Sequence, residues 1–152
     1  MSSGDHIVLF RRAPAELDRR QLERFARVLR EELCRGAGFQ CLVTDDRELR
    51  RLNRRFLSKN HATDVLSFPQ FPAPSPQPPF LGEIAISAER AKAQARTYGH
   101  STNDEICILM LHGVLHLMGM DHEEDRGEMR RAESRWRMRL GLPQGLVERA
   151  TA

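Results

Sequence analysis

The chain has 152 residues, the size of one domain, and its 24 basic and 21 acidic residues leave a formal charge of +3, which permits a polyanionic partner without demanding one. No apolar run is long enough to span a bilayer, and the first residues lack the basic-then-apolar layout of a secretory signal, so we expect a cytoplasmic protein with no membrane association. Cys34, Cys41 and Cys107 form no Cys-x-x-Cys pair and suggest neither a disulfide framework nor a thiolate metal site.

Residues 7–10 form a short apolar run that reads as a first strand. From about Ala15 to Arg35, Leu22, Phe25, Ala26, Leu29 and Leu33 recur at three and four, which predicts an amphipathic helix. Its other face is crowded with Arg and Glu at spacings that allow mutual pairing, the pattern of a solvated surface rather than a nucleic-acid patch. Residues 39–43 read as a second strand, and Thr44-Asp45-Asp46 offers an N-cap for a helix striped by Leu49, Leu52 and Phe56. A polar loop, 58–62, leads to a third strand at 65–68. The segment 69–79 holds six of the eight prolines; with so few amide donors it must be a loop joining two strands.

Residues 81–87 read as a fourth strand, and Ser87 can cap an Ala-rich helix over 88–98. Ser101 and Thr102 stand three residues before Asp104 and Glu105, a capping-box pattern that starts the next helix. That helix is apolar on every face from Ile106 to Leu111, so we expect it to be buried, with Cys107 a buried thiol. Further on, the acids 123–125 suit a helix N-terminus, and Met129, Ala132, Trp136 and Leu140 make a last apolar stripe that Gly141 and Pro143 stop. The tail, 144–152, is expected to fray, and one domain spans 1–152.

Chemistry concentrates in the buried helix. His112 and His116, four apart, share a helix face, and Gly119 can end the helix in a left-handed conformation that turns His122 back towards them. A lone histidine on an apolar helix is most often a core residue satisfied by its neighbours, but three converging rings are satisfied together by one metal. Three imidazoles leave a fourth tetrahedral position open, the arrangement of a catalytic zinc that activates a water. The spacing matches the long zinc-protease signature, yet Gly113 stands where that signature carries its general-base Glu, which argues against a peptidase. Asp121, beside His122, can orient a ligand, accept a proton or simply cap a turn. His6, His61 and His100 read as surface or loop residues without a role.

The stretch from His112 to His122, the block Thr63-Asp64-Val65-Leu66-Ser67-Phe68-Pro69 after Leu52-Asn53, and Gly82-Glu83-Ile84-Ala85-Ile86-Ser87 together resemble the YbeY family of bacterial endoribonucleases and rRNA maturation factors. The resemblance runs from about residue 40 to 140. It implies an α+β fold, a small mixed four-stranded sheet flanked by about five helices with a zincin-like metal helix, and one zinc ion held by His112, His116 and His122. It also implies cleavage of single-stranded RNA in 16S rRNA 3′-end maturation and ribosome quality control, with no DNA substrate. Family members usually carry an Arg in an Arg-Gly-Lys pattern after the Leu-Asn helix; here Leu57-Ser58-Lys59 occupies it, and Ala62 replaces the usual Pro. Arg55 and Lys59 are the candidates for the missing substrate contact. The expected mechanism is hydrolysis of a phosphodiester by a metal-bound water, with Asp121 a candidate proton acceptor. The alternatives are a non-enzymatic ribosome assembly factor in which the metal staples the fold, and a metal-dependent hydrolase of another substrate.

Overall fold

A computed structural model describes residues 6–57, 63–70, 79–120 and 126–143. The four alternating or apolar segments become β1 (Val8–Phe10), β2 (Gly38–Thr44), β3 (Val65–Pro69) and β4 (Phe80–Ser87). Between and after them lie α1 (Arg19–Val28), α2 (Asp46–Leu57), α3 (Ala88–Tyr98), α4 (Thr102–Leu117) and α5 (Glu128–Arg139). The strands hydrogen-bond in the order β1-β2-β4-β3; β1 and β4 run parallel to β2, and β3 runs antiparallel to β4. This is the mixed sheet expected of the α+β class. Among the prolines of the 69–79 segment, Pro69 ends β3 and Pro79 precedes β4, while 71–78 and the tail 144–152 lie outside the described residues.

Strand side chains alternate between two faces, and the two faces carry different cores. Phe39, Cys41 and Val43 of β2 and Ile84 and Ile86 of β4 join the main cluster, which includes Leu22 and Ala26 of α1, Ala88 and Ala91 of α3, Met129 and Ala132 of α5, and the apolar residues of α4. The opposite face carries a smaller cluster in which Leu49 and Leu52 of α2 cover Leu42, Leu66, Phe68 and Ala85. In α4 every residue from Glu105 to Leu115 is buried, as the unbroken apolar run required. Burial pushes the Cys107 thiol up to about 12 and the Cys34 thiol up to about 11, so both stay protonated and inert at neutral pH.

Three local expectations are corrected. α1 begins at Arg19, because Asp18 caps it by accepting the Gln21 N–H at 3.1 Å, and at Leu29–Leu33 it widens into a turn where the Cys34 N–H reaches the Leu29 carbonyl at 2.9 Å. Phe56 is not core but 58 % exposed, its ring meeting Phe68 edge to face at 6.0 Å. In the start of α4 only Ser101 acts as cap, accepting the Asp104 N–H at 3.0 Å, while Glu105 turns inward.

Gly113 sets how closely α4 lies on the sheet. A Cβ there would stand 2.9 Å from Cγ2 and 3.1 Å from Cδ1 of the buried Ile84, and Ser67 Oγ donates to the Gly113 carbonyl at 3.1 Å. Gly113→Ala is therefore expected to destabilise the protein by roughly 1–3 kcal/mol through overpacking. Chemical denaturation measures this; an unaltered midpoint would show that α4 does not rest on Ile84.

Candidate metal and active site

α4 ends at Leu117, one residue beyond His116, by a device written into the sequence. Gly119 takes φ +93°, its N–H reaches the His116 carbonyl at 2.9 Å, and the Met120 N–H reaches the Leu115 carbonyl at 3.1 Å. This pair of bonds closes the helix and redirects the chain, as the glycine predicted.

His112 is 7 % exposed and lies one helical turn before His116. Their Nε2 atoms are 3.0 Å apart and the rings meet edge to face, with centroids 4.6 Å apart. The other nitrogen of His112, Nδ1, lies 2.7 Å from Oε2 of Glu133, a carboxylate on α5 with no exposed surface. A carboxylate only accepts, so Nδ1 is the donor to Glu133, and the tautomer protonated there alone has its Nε2 lone pair on the side of His116. Two nitrogens on one tetrahedral zinc, with bonds of about 2.0–2.1 Å, stand roughly 3.3 Å apart. The observed pair needs only a few tenths of an ångström to match, and the donor set of unprotonated imidazole nitrogen backed by a carboxylate is one zinc takes.

Among the described residues, no group of three or more His, Cys, Asp or Glu side chains is placed to hold a metal ion. The third expected ligand, His122, lies outside the described residues, as do Asp121 and Lys59. Arg55 is exposed on α2, across the sheet from α4, with its guanidinium 5.3 Å over the Phe56 ring. No hydrogen bond or ion pair among the described residues joins it to either histidine.

Three groups escaped the sequence reading. Glu133 sits at i+4 from Met129 on the core-facing side of α5, and an acid on an apolar stripe is the signal of a buried partner. His100 is not a bare loop residue: its Nε2 lies 2.6 Å from Oε1 of the fully buried Glu105, two turns before His112. Asp64, just before β3, is the third. Burial pushes its carboxyl above the usual carboxylate range; its own N–H opposes the rise, the Glu105 charge adds to it, and His112 and the Val65 N–H oppose it. The polar side of α4 thus faces acids from α5 and from the approach to β3.

A family model described as Endoribonuclease YbeY matches residues 11–141. Over 142 residues the chain is 60% identical to the Endoribonuclease YbeY of Solibacter usitatus (strain Ellin6076), covering 93% of this chain and 92% of that one. Over 112 residues it is 53% identical to the Endoribonuclease YbeY of Koribacter versatilis (strain Ellin345), covering 74% and 70%. In three dimensions it is similar to the solution structure of TM1509 from Thermotoga maritima, with a TM-score of 0.56, 24% identity and coverage of 84% and 86%, a likeness of fold.

Replacing Glu133 by Gln keeps the shape and an acceptor but removes the charge behind His112. Zinc affinity, measured by competition with a chromophoric chelator, is expected to fall about 10–100-fold with the thermal midpoint little changed; equal affinities would rule out a metal on His112 Nε2.

Proposed function

Because the chain belongs to the Endoribonuclease YbeY family, we propose that it is a zinc-dependent endoribonuclease that cuts single-stranded RNA, with the 3′ region of the 16S rRNA precursor as substrate, in the cytoplasm. His112, His116 and His122 would hold one zinc ion per chain, Asp121 is the candidate proton acceptor, and Arg55 and Lys59 are candidate substrate contacts. The observation that carries this reading is the pair of Nε2 atoms 3.0 Å apart on a buried helix, one of them aimed by Glu133.

When bound, the ion would supply a Lewis acid for a phosphoryl oxygen and lower the pKa of water to about 7. The chain's own part is to hold the imidazoles rigidly. Glu133 fixes the tautomer and ring plane of His112, and the packed length of α4 fixes the offset between His112 and His116. Gly113 bears on the substrate class. At the position where a zinc protease carries its base, a Cβ would lie 2.9 Å from Cγ2 of Ile84 and force it to shift, which counts against a peptidase of that mechanism. No described helix is long and apolar enough to cross a membrane.

Zinc-loaded protein is expected to cut a single-stranded RNA with the sequence of the 16S 3′ end and to spare the same RNA annealed to its complement. His116→Ala should lower the single-turnover rate by more than about 100-fold, beyond the loss of an outer-shell partner, and abolish zinc retention. Chelation of the wild type should do the same and zinc should restore it. Undiminished cutting by metal-free His116→Ala protein would sink the proposal, and ribosome binding with no cutting under any metal would favour the assembly-factor reading.

A further inference from the structure

We propose that the groove between β1 and α1 holds the sugar-phosphate backbone of single-stranded RNA, at the edge of the sheet farthest from the histidines. The proposal rests on RNA being the substrate and adds a second place where it is held. His6, Val8 and Phe10 line one wall, Arg19, Arg20, Glu23, Arg24 and Arg27 the other, and the groove has a volume of about 470 Å³. Arg20, Arg24 and Arg27 succeed one another at helical spacing, so their guanidinium groups form a row along the groove.

Charge decides what fits. Among the described residues Glu23 is the single acid that lines the groove and it is already engaged: its carboxylate accepts the Ile7 N–H at 3.1 Å and the Val8 N–H at 2.9 Å and pairs with Arg27 at 3.2 Å. Arg20 and Arg24 make no hydrogen bond or ion pair with any described residue, and Arg19 Cζ lies over the Phe10 ring, 4.6 Å from its centroid. The other described acids of this region are spent elsewhere, Glu16 on Lys92, Asp18 on the helix cap, Glu31 on Arg30 and Glu32 on Arg139. The mutual pairing expected along α1 therefore holds for Glu23 with Arg27 and is absent, among the described residues, at Arg20 and Arg24. Arg19, Arg20 and Arg24, none of them paired with a described acid, stand beside the half-buried Phe10 ring and match a chain of phosphates carrying sugars and bases, the pattern of single-strand binding grooves.

Position fixes the consequence. β1 and β3 are the two edges of the sheet, three strand spacings or about 14 Å apart, and α4 lies over β3 and β4. Only an RNA of several nucleotides reaches both places. The groove then governs affinity for long substrates and leaves the chemistry at the histidines alone.

The test compares two charge-matched variants, Arg20→Glu with Arg24→Glu, and Arg96→Glu with Arg130→Glu on exposed positions of α3 and α5. Binding of zinc-loaded protein to a labelled single-stranded RNA long enough to span the molecule is followed by anisotropy between about 50 and 200 mM salt. The groove variant should bind at least tenfold more weakly, with a log–log salt slope reduced by about 1.4, the share of two phosphates; the control should stay near wild type. On the long RNA the groove variant should raise KM at unchanged kcat, and both variants should cut a trinucleotide as the wild type does. Equal losses in the two variants, or none in either, would overturn the proposal. So would loss of binding to polyglutamate with RNA binding intact, which would assign the groove to an acidic protein. Gln replacements at the same four sites give the same comparison should a Glu variant fail to fold. Wild-type protein that binds RNA through the groove but cuts none would remove the proposed activity and leave the groove, whereas cutting with groove-independent binding would do the reverse.

Discussion

Everything about the site follows from how tightly α4 is pressed to the sheet. Gly113 has no side chain, Ile84 fills the space a methyl group would need, and Ser67 ties the Gly113 carbonyl to β3. With that face of the helix committed to packing, the face bearing His112 and His116 is turned to where α5 brings Glu133. A buried carboxylate without a partner is unfavourable by several kcal/mol, so the Glu133 contact also helps to hold α5 in register. Packing on one side of the helix thus dictates chemistry on another.

What could be read in advance was whatever is encoded locally. The unbroken apolar run of α4, the four-residue offset of its histidines and the glycine that ends it are near-neighbour patterns, and each reappears in the fold. The strands were legible for the same reason, because alternation shows directly which residues point inward. The partners of polar groups were not. Glu133 lies 21 residues from His112 and reaches it only because two helices dock, and the His100–Glu105 bond requires the bend between α3 and α4. Phe56 continued a convincing stripe, but periodicity cannot say whether anything waits opposite the last turn of a helix.

The charged surface of α1 carries a related lesson. Spacing alone cannot distinguish acids that neutralise neighbouring arginines from acids drawn away to caps, amides or other helices. Asp18 and Glu32 are of the second kind, and so, in part, is Glu23. A sequence close to electroneutral can therefore present a strongly cationic furrow once its carboxylates have been sequestered.

Glu23 has another effect, on how this sheet meets other chains. A border strand normally displays a row of free amides onto which a foreign strand can zip, the usual start of aggregation. Here the carboxylate takes up the amides of Val8, the first residue of the β1 border, and of Ile7 just before it, while the opposite border, β3, is short and finishes in a proline with no amide to offer. Each margin is thus partly blunted against ladder extension, which favours association through side chains over lengthening of the sheet.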